Sequence, residues 1–169
     1  LMVGEPGVGK SAIIRGFAVR LDLFPKKIAQ LPIYELSITS ILANAQYQGD
    51  VELRISATME GIKRLGGGII VIDHILAGSK GDANGSRDLT GMLIPYLDDD
   101  TLRFIGITTF EDITRHLDNH TRFLRRFRRI DIDEPSQQEA IEILNGVKRK
   151  YEKFHNIRIA PGVTERAVN

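Results

Sequence analysis

The stretch Gly4-Glu5-Pro6-Gly7-Val8-Gly9-Lys10-Ser11 decides the fold of this chain. It matches the phosphate-binding pattern G-x-x-x-x-G-K-[ST] at every fixed position and directly follows the apolar triplet Leu1-Met2-Val3. Its glycines allow the backbone to curl so that successive N–H groups point at phosphate oxygens, and the helix expected from about Gly9 to Leu21 adds its positive end. The sequence therefore predicts a nucleoside-triphosphate site built on a strand, a loop and a helix.

Two side chains of this loop carry most of its chemistry. Lys10 is expected to reach the β- and γ-phosphates, and the Ser11 hydroxyl is expected to ligate Mg²⁺. The predicted nucleotide-binding residues are Gly4, Glu5, Pro6, Gly7, Val8, Gly9, Lys10, Ser11 and Ala12.

Composition limits the other kinds of site. The 169 residues are 42% hydrophobic, which is enough for one main core. Lys and Arg number 23 against 22 Asp and Glu, so the net charge of +1 favours neither nucleic acid nor a membrane as the main partner. The absence of cysteine excludes disulfides and thiolate metal sites, and it agrees with a reducing, cytoplasmic location. Because the chain opens on Leu1 and stops inside an expected helix, we expect it to be a fragment.

Short β-type runs alternate with longer helical stretches along most of the chain. This alternation predicts an α/β fold with a parallel sheet wrapped by helices. The run from Gly68 to Ile72 is apolar at consecutive positions, as expected for a central strand covered on both faces. The predicted strands are Leu1-Val3, Ile33-Leu36, Ile69-Ile72, Leu102-Ile107 and Ile130-Ile132.

The pattern changes to helices alone after the fifth strand. Pro135 closes that strand, and Ser136-Gln137-Gln138-Glu139 is a capping box for a helix that runs to about Phe154. A second helix is expected after Pro161. An apolar face is predicted on the first helix at Ala140, Ile141, Ile143, Leu144, Val147 and Tyr151. The predicted domains are a nucleotide-binding α/β domain over 1–134 and the start of a small helical lid over 135–169.

Asp73 is the second predicted metal-site residue, since it ends the most apolar strand. Nucleoside triphosphatases hold Mg²⁺ with a carboxylate at the tip of a buried strand, which we expect to lie beside the first strand. The carboxyl ends of strands in an open α/β sheet face the ligand crevice. The alternative is that Asp73 merely turns the chain.

Further blocks make the chain similar to the first ATPase module of the Clp chaperones, an AAA+ family of protein-unfolding rings. In order, and after the loop, these blocks are Tyr47-Gln48-Gly49-Asp50, Ile70 to Asp73, Phe104 to Thr109, Arg125-Arg126-Phe127 and Ile130 to Ser136. Asn145-Gly146 and Lys150-Tyr151-Glu152 continue the pattern that distinguishes Clp rings, and the protease-associated branch typified by ClpA is nearest in pattern.

This resemblance implies a P-loop NTPase of AAA+ type, with a three-layer α/β/α core, a five-stranded parallel sheet and a helical lid. It also implies ATP and Mg²⁺ as cofactors and a homo-oligomeric, hexameric ring. The implied partners are unfolded protein substrates and, in the protease-associated branch, a peptidase; neither nucleic acid nor membrane is expected.

The resemblance also assigns roles to four residues around the nucleotide. Thr108 or Thr109 would be a sensor that contacts the γ-phosphate or its attacking water, because a hydroxyl can donate to one oxygen and accept from another group. The alternative is a threonine pair that only ends a strand. Arg125 and Arg126 would be arginine fingers that reach the nucleotide of a neighbouring subunit. The alternative for them is a solvated face within the basic stretch 122–129. The expected catalytic set is Lys10, Asp73, Thr108, Thr109, Arg125 and Arg126.

Tyr47 resembles the pore-loop aromatic with which Clp rings grip a translocating polypeptide. An exposed aromatic on a glycine-bearing loop packs on many kinds of side chain, which suits a sequence-tolerant grip. A core-packing tyrosine is the alternative. The usual basic neighbours are replaced by Gln46 and Gln48, so any electrostatic contribution to gripping is weakened.

The largest departure from the family follows Asp73. The family pattern continues with a Glu that polarises the attacking water, then a hydrophobic residue and a His, whereas this chain reads Asp73-His74-Ile75-Leu76. Either the Glu has become His74, or the Glu and its neighbour are deleted and His74 is the later His. Asp82 and Asp88 are poor substitutes, and we expect His74 itself to be buried and hydrogen-bonded.

We therefore expect ATP binding with slow or absent hydrolysis. A nucleotide-binding scaffold or assembly module is the alternative to an unfoldase module. A DNA motor of helicase or clamp-loader type is disfavoured by the near-zero net charge.

Overall fold

A parallel sheet of five short strands organises residues 1–132. This computed structural model describes residues 1–45, 47–76, 89–116 and 120–168. The strands are β1 (Met2–Val3), β2 (Ile33–Glu35), β3 (Gly68–Ile72), β4 (Leu102–Thr108) and β5 (Ile130–Asp131). Their order is β2-β3-β4-β1-β5, and every neighbouring pair is parallel. The prediction of an α/β fold with a five-stranded parallel sheet is confirmed, and each strand overlaps the stretch predicted for it.

Helices connect these strands. They are α1 (Lys10–Val19), α2 (Lys26–Ala29), α3 (Ile38–Leu42), α4 (Gln48–Arg64), α5 (Leu89–Leu97), α6 (Phe110–His116) and α7 (Thr121–Leu124), with a 3₁₀ turn at Leu21–Leu23. The helix predicted from Gly9 begins there, since Gly9 is the N-cap of α1. Within the described ranges, no helix combines the length and the apolar character needed to cross a membrane.

The strands bury side chains on both faces of the sheet. All five positions of β3 are buried, as its unbroken apolar run predicts. Alternate strand residues join two separate apolar clusters, because successive side chains of a strand point to opposite faces. The larger cluster includes Val3, Ile70, Ile72 and Leu102 with Val51, Ile55, Met59 and Ile62 of α4; the smaller includes Met2, Val71 and Ile107 with Ile14 of α1. Helices therefore cover both faces, in three layers.

The second unit, Asp133–Asn169, is helical. It contains α8 (Gln137–His155) and α9 (Val163–Val168). The predicted capping box is present: Glu139 N donates to Ser136 Oγ at 3.4 Å, and Ser136 N donates to Glu139 Oε2 at 2.8 Å. The two helices are joined by the Thr164 hydroxyl, which lies 3.0 Å from Asn145 Oδ1.

Gly66 and Gly67 generate a matched test of the connection from α4 to β3. Both have positive φ, 97° and 83°, but a Cβ at Gly67 would lie 2.1 Å from Thr101 O, whereas one at Gly66 meets no described atom within 4 Å. We expect Gly66→Ala to lower the free energy of unfolding by about 1 kcal/mol through backbone strain alone. Gly67→Ala adds a clash with backbone and should cost about 3 kcal/mol or more. Urea unfolding of the two variants measures this difference, and equal losses would contradict it.

Candidate functional site

The phosphate loop is a tight turn between β1 and α1. A Cβ at Gly4 would lie 2.5 Å from Ile132 O, so only glycine allows the start of the loop to pass the end of β5 this closely. Gly7 and Gly9 have φ of 91° and 97°, in the left-handed region that glycine adopts without strain. The helix starts directly behind this turn, with Ile13 N donating to Gly9 O at 3.0 Å. The motif therefore folds as its sequence predicts.

Lys10 and the start of α1 concentrate positive charge at this turn. The Lys10 ammonium donates to Gly4 O and Glu5 O, both at 2.8 Å, so it lies across the loop. Lys10, Ser11 and Ala12 form the first turn of the helix, where backbone N–H groups have no acceptor inside the helix. Together these groups suit an anion such as a phosphate chain.

Strand β4 holds the other half of the site. Gly4 N donates to Thr108 O at 3.4 Å, and Ile75 N donates to Ile107 O at 3.1 Å. The loop after β1 and the turn after β3 are therefore bonded to consecutive residues of one strand. The expectation that the strand of Asp73 lies beside the first strand is wrong, because β4 lies between them. Strand order depends on how the crossovers pack, which the order of the strands in the sequence does not reveal.

Asp73 nevertheless reaches the phosphate loop. The Ser11 hydroxyl donates to Asp73 Oδ2 at 3.4 Å, although 62 positions separate the two residues in the sequence. Asp73 Oδ1 accepts from His74 N at 2.9 Å, so the carboxylate also stabilises the turn that follows β3. One hydroxyl and one carboxylate beside the loop match the way proteins hold Mg²⁺, with few protein oxygens and the rest from phosphates and water.

His74 lies outside the core. Its backbone has a left-handed φ of 51°, its side chain is 68% exposed, and its Nε2 lies 3.9 Å from Asp73 Oδ1. The expectation of a buried, hydrogen-bonded His74 is wrong, because the turn directs the ring outward and gives the buried positions to Ile75 and Leu76, 1% and 0% exposed. Asp82 and Asp88, the poor substitutes for the glutamate, lie outside the described residues.

Thr108 and Thr109 have different surroundings. Thr108 is 1% exposed, and its hydroxyl has no hydrogen-bond partner among the described residues. The Thr109 hydroxyl accepts from Asp112 N at 3.0 Å and so caps α6. Buried hydroxyls are normally paired, so the unpaired Thr108 hydroxyl has its full bonding capacity left, whereas Thr109 keeps its O–H donor and one lone pair.

Arg125 and Arg126 are neighbours at the end of α7 with different roles in packing. Arg126 makes a bidentate ion pair with Asp98, with Nε–Oδ1 at 3.0 Å and Nη2–Oδ2 at 2.9 Å. The guanidinium holds the pKa of Asp98 below its ordinary value, and the carboxylate raises the pKa of Arg126. Arg125 is exposed. Sequence reasoning missed Asp98, because nothing in the run 98–100 indicates which aspartate faces α7.

Tyr47 stands at the surface as the N-cap of α4. It is 72% exposed, so the alternative of a core-packing tyrosine is wrong. Its backbone N donates to Asp50 Oδ2 at 3.0 Å. Arg54 supports the preceding turn, since its Nη1 donates to Ile41 O and Ala43 O at 2.8 and 2.5 Å. The aromatic ring is thus exposed, while hydrogen bonds from Arg54 and to Asp50 hold the backbone on either side of it.

A glycine loop with its lysine, followed by a Ser–Asp pair at the carboxyl edge of a parallel sheet, defines a P-loop nucleotide-binding protein. The chain belongs to the AAA family, the ATPase family associated with various cellular activities, which matches residues 1–134. An AAA lid domain matches residues 136–169.

Known relatives agree with this family. The chain is 36% identical over 165 residues to the chaperone protein ClpB of Mycoplasma pneumoniae, covering 94% of this chain and 23% of that protein. It is 34% identical over 172 residues to ClpB of Aquifex aeolicus, covering 99% of this chain and 17% of that protein. The chain therefore spans less than a quarter of the length of these relatives.

Solved structures of Hsp104 share the fold. A closed-state cryo-EM reconstruction of Hsp104 with ATPγS and FITC-casein matches with a TM-score of 0.82 and 32% identity, covering 94% of this chain and 28% of that one. An extended Saccharomyces cerevisiae Hsp104–casein complex matches with a TM-score of 0.79 and 33% identity, over 94% and 28%. The resemblance to Clp-type AAA+ modules is confirmed, and the nearness to the ClpA branch stays a prediction.

The two threonines generate a matched prediction. Thr108→Val replaces a buried, unpaired hydroxyl by a methyl group, so the free energy of unfolding should be unchanged or rise by about 1 kcal/mol. Thr109→Val removes the cap of α6 and should cost about 1 kcal/mol. Urea unfolding without nucleotide is the measurement. If Thr108→Val lowered the free energy of unfolding more than Thr109→Val does, the Thr108 hydroxyl would already have a hydrogen-bond partner.

Proposed function

We propose that this chain is the ATP-binding module of a Clp-type protein-unfolding chaperone ring, the ATPase part of a disaggregase or an ATP-dependent protease. The observation that carries the proposal is the 3.4 Å contact between the Ser11 hydroxyl and Asp73, which joins the phosphate loop to the tip of a buried strand. The similarity to ClpB, and to Hsp104 in complexes with casein, supports the chaperone part.

The residues of the site bind and orient the nucleotide. The amides of the loop and of the first turn of α1 donate to phosphate oxygens, and Lys10 adds a mobile positive charge. Ser11 and Asp73 would hold Mg²⁺, and the hydroxyl of Thr108 or Thr109 would donate to the γ-phosphate or orient water near it. When bound, ATP·Mg²⁺ supplies a phosphoryl group that can be transferred to water.

The same residues lack a group to activate that water. The position after Asp73 carries an exposed histidine on a left-handed backbone, in place of the expected carboxylate. A general base acts only within hydrogen-bond reach of the proton it removes, so the bulkier ring of His74 would have to reach the place of the family's carboxylate. The chain therefore binds ATP tightly and hydrolyses it slowly or not at all. This observation also favours the second candidate, a hydrolysis-deficient nucleotide-binding scaffold or assembly module.

The remaining parts of the proposal concern assembly. In a homo-oligomeric, hexameric ring, an arginine of the Arg125–Arg126 pair reaches the nucleotide of the adjacent subunit, where a guanidinium stabilises charge on the γ-phosphate. Tyr47, exposed at the start of α4, grips unfolded protein substrates. A cytoplasmic location agrees with the absence of cysteine, and a peptidase partner follows if the protease-associated branch is the right one.

A substitution at His74 tests the separation of binding from turnover. The protein should bind ATP, measured by calorimetry, while releasing phosphate far more slowly than a typical enzyme turnover of ~1–100 s⁻¹. His74→Glu should raise phosphate release by about 100-fold or more, because a positioned base contributes that much.

His74→Gln is the matched control, since it has the shape of Glu without the charge, and it should not raise the rate. Circular dichroism checks folding, because Glu and Gln must both adopt the left-handed backbone that His74 has. Turnover at ordinary rates with His74 in place would contradict the impaired hydrolysis, and absence of ATP binding would overturn the proposed function.

Tyr47 generates a test of substrate contact. A photoreactive amino acid at position 47 should crosslink an unfolded protein such as casein in the ATP-bound assembly. Leu65 is a matched control, because it caps the opposite end of α4 with 73% exposure against 72% for Tyr47. Equal crosslinking at both positions, or none at 47, would count against a grip by Tyr47.

A further inference from the structure

The two arginines at the end of α7 differ in the hydrogen bonds that their side chains make within the chain. All three nitrogens of the Arg126 guanidinium donate hydrogen bonds within the chain. Nε and Nη2 bond to the Asp98 carboxylate, and Nη1 bonds to Arg122 O at 2.9 Å. The side chain of Arg126 is 31% exposed and that of Asp98 is 62% exposed, so the pair lies at the surface with the arginine as its more covered member. A bidentate arginine–carboxylate pair of this kind is geometrically specific and stronger than an ordinary surface ion pair.

The backbone of Arg125 is hydrogen-bonded within α7, whereas its side chain has no ion pair like that of Arg126 in the described part of the chain. Its N donates to Thr121 O at 3.1 Å, which closes the last turn of α7. Phe123 anchors that turn in the core at 1% exposure, with Phe127 packed against it at 5.1 Å between ring centroids. Among the described residues, no hydrogen bond or ion pair engages the Arg125 guanidinium. Its side chain is therefore free to reach outward from a rigid base.

We propose that Asp98 is a positioning residue that holds Arg126 within its own subunit, so that Arg125 alone reaches the nucleotide of the neighbouring subunit. The inference rests on the proposed ring. It assigns Arg126 to packing within the subunit and Arg125 to contact with the neighbouring nucleotide. To reach another subunit, Arg126 would have to give up its bidentate pair and the Arg122 carbonyl. Arg125 would give up no hydrogen bond or ion pair to the described residues.

The Asp98–Arg126 pair also fixes where Arg125 stands. Asp98 directly follows α5, whereas Arg126 is the second residue after the end of α7, 28 positions later in the sequence. The pair therefore clamps the ends of two helices together immediately beside Arg125. A guanidinium contributes most to binding when its base is preorganised, because less conformational freedom is then lost on contact.

Substitutions in the full-length protein test this division. The readout is the ratio of ATP to ADP affinity in the assembled ring, measured with fluorescent nucleotide analogues. A residue that reaches the γ-phosphate changes this ratio, whereas a purely structural loss weakens both nucleotides together. Arg125→Ala should lower the ratio about 10- to 100-fold, as expected for one charge-assisted hydrogen-bonding group.

A charge swap separates the two arginines. The double variant Asp98→Arg with Arg126→Asp keeps an ion pair between α5 and α7 but removes the arginine at position 126. It should keep the ATP-to-ADP ratio within about threefold of the original protein, the size of change expected for an undisturbed site. Asp98→Asn, which loosens the clamp, should lower the ratio about 3- to 10-fold.

Several results would overturn the inference. They are a charge swap as damaging as Arg125→Ala, an Arg125→Ala variant with an unchanged ratio, or an Asp98→Asn variant with an unchanged ratio. A second measurement uses no variant and so does not depend on how the variants fold. NMR titration of the Asp98 carboxyl in the unsubstituted protein should give a pKa below that of an ordinary aspartate, because Arg126 stabilises the carboxylate. A pKa at the ordinary value would show that the pair does not form. Failure of the unsubstituted protein to assemble with ATP would instead overturn the proposed ring, and this inference with it.

Discussion

The site depends on the parallel pairing of β4 between β1 and β3. Two consecutive carbonyls at the end of β4 accept hydrogen bonds from opposite sides: Thr108 O from Gly4 N, and Ile107 O from Ile75 N. Because parallel strands end at the same edge of a sheet, these bonds bring the phosphate loop and the turn after Asp73 together. The Ser11–Asp73 contact and the buried Thr108 hydroxyl both follow from this arrangement.

The edge of the sheet separates two chemical tasks. The groups expected to hold a nucleotide are the loop that begins at Gly4, packed against Ile132 just after β5, the first turn of α1, and a carboxylate bonded to its own turn. The position after Asp73 carries His74 where the family pattern has a glutamate, and the turn exposes the ring of His74. The proposed function therefore assigns binding to the phosphate loop and turnover to the residue after Asp73, so that position 74 separates the two candidate functions.

The two residues proposed to contact other chains, Tyr47 and Arg125, have similar surroundings. Tyr47 and Arg125 are exposed, yet each stands on backbone held by groups that stay inside the chain. Arg54 bonds two carbonyls before Tyr47, and Asp98 holds the arginine next to Arg125. Exposed side chains on preorganised backbone lose less conformational freedom when a partner arrives, so these supports matter as much as the contact residues.

The sequence by itself determined the strands, the phosphate loop, the capping box of α8 and the family. These depend on local chemistry: apolar runs, glycine at left-handed positions and a serine three residues before a glutamate, all readable along the chain. Only the tertiary structure decided that β4 separates β1 from β3 and that the His74 ring faces outward. It also decided that Thr109 caps a helix while the Thr108 hydroxyl is unpaired among the described residues, and that Arg126 pairs with Asp98. Each of these depends on groups far apart in sequence that approach only when helices and strands pack, and spacing along the chain carries no record of that approach.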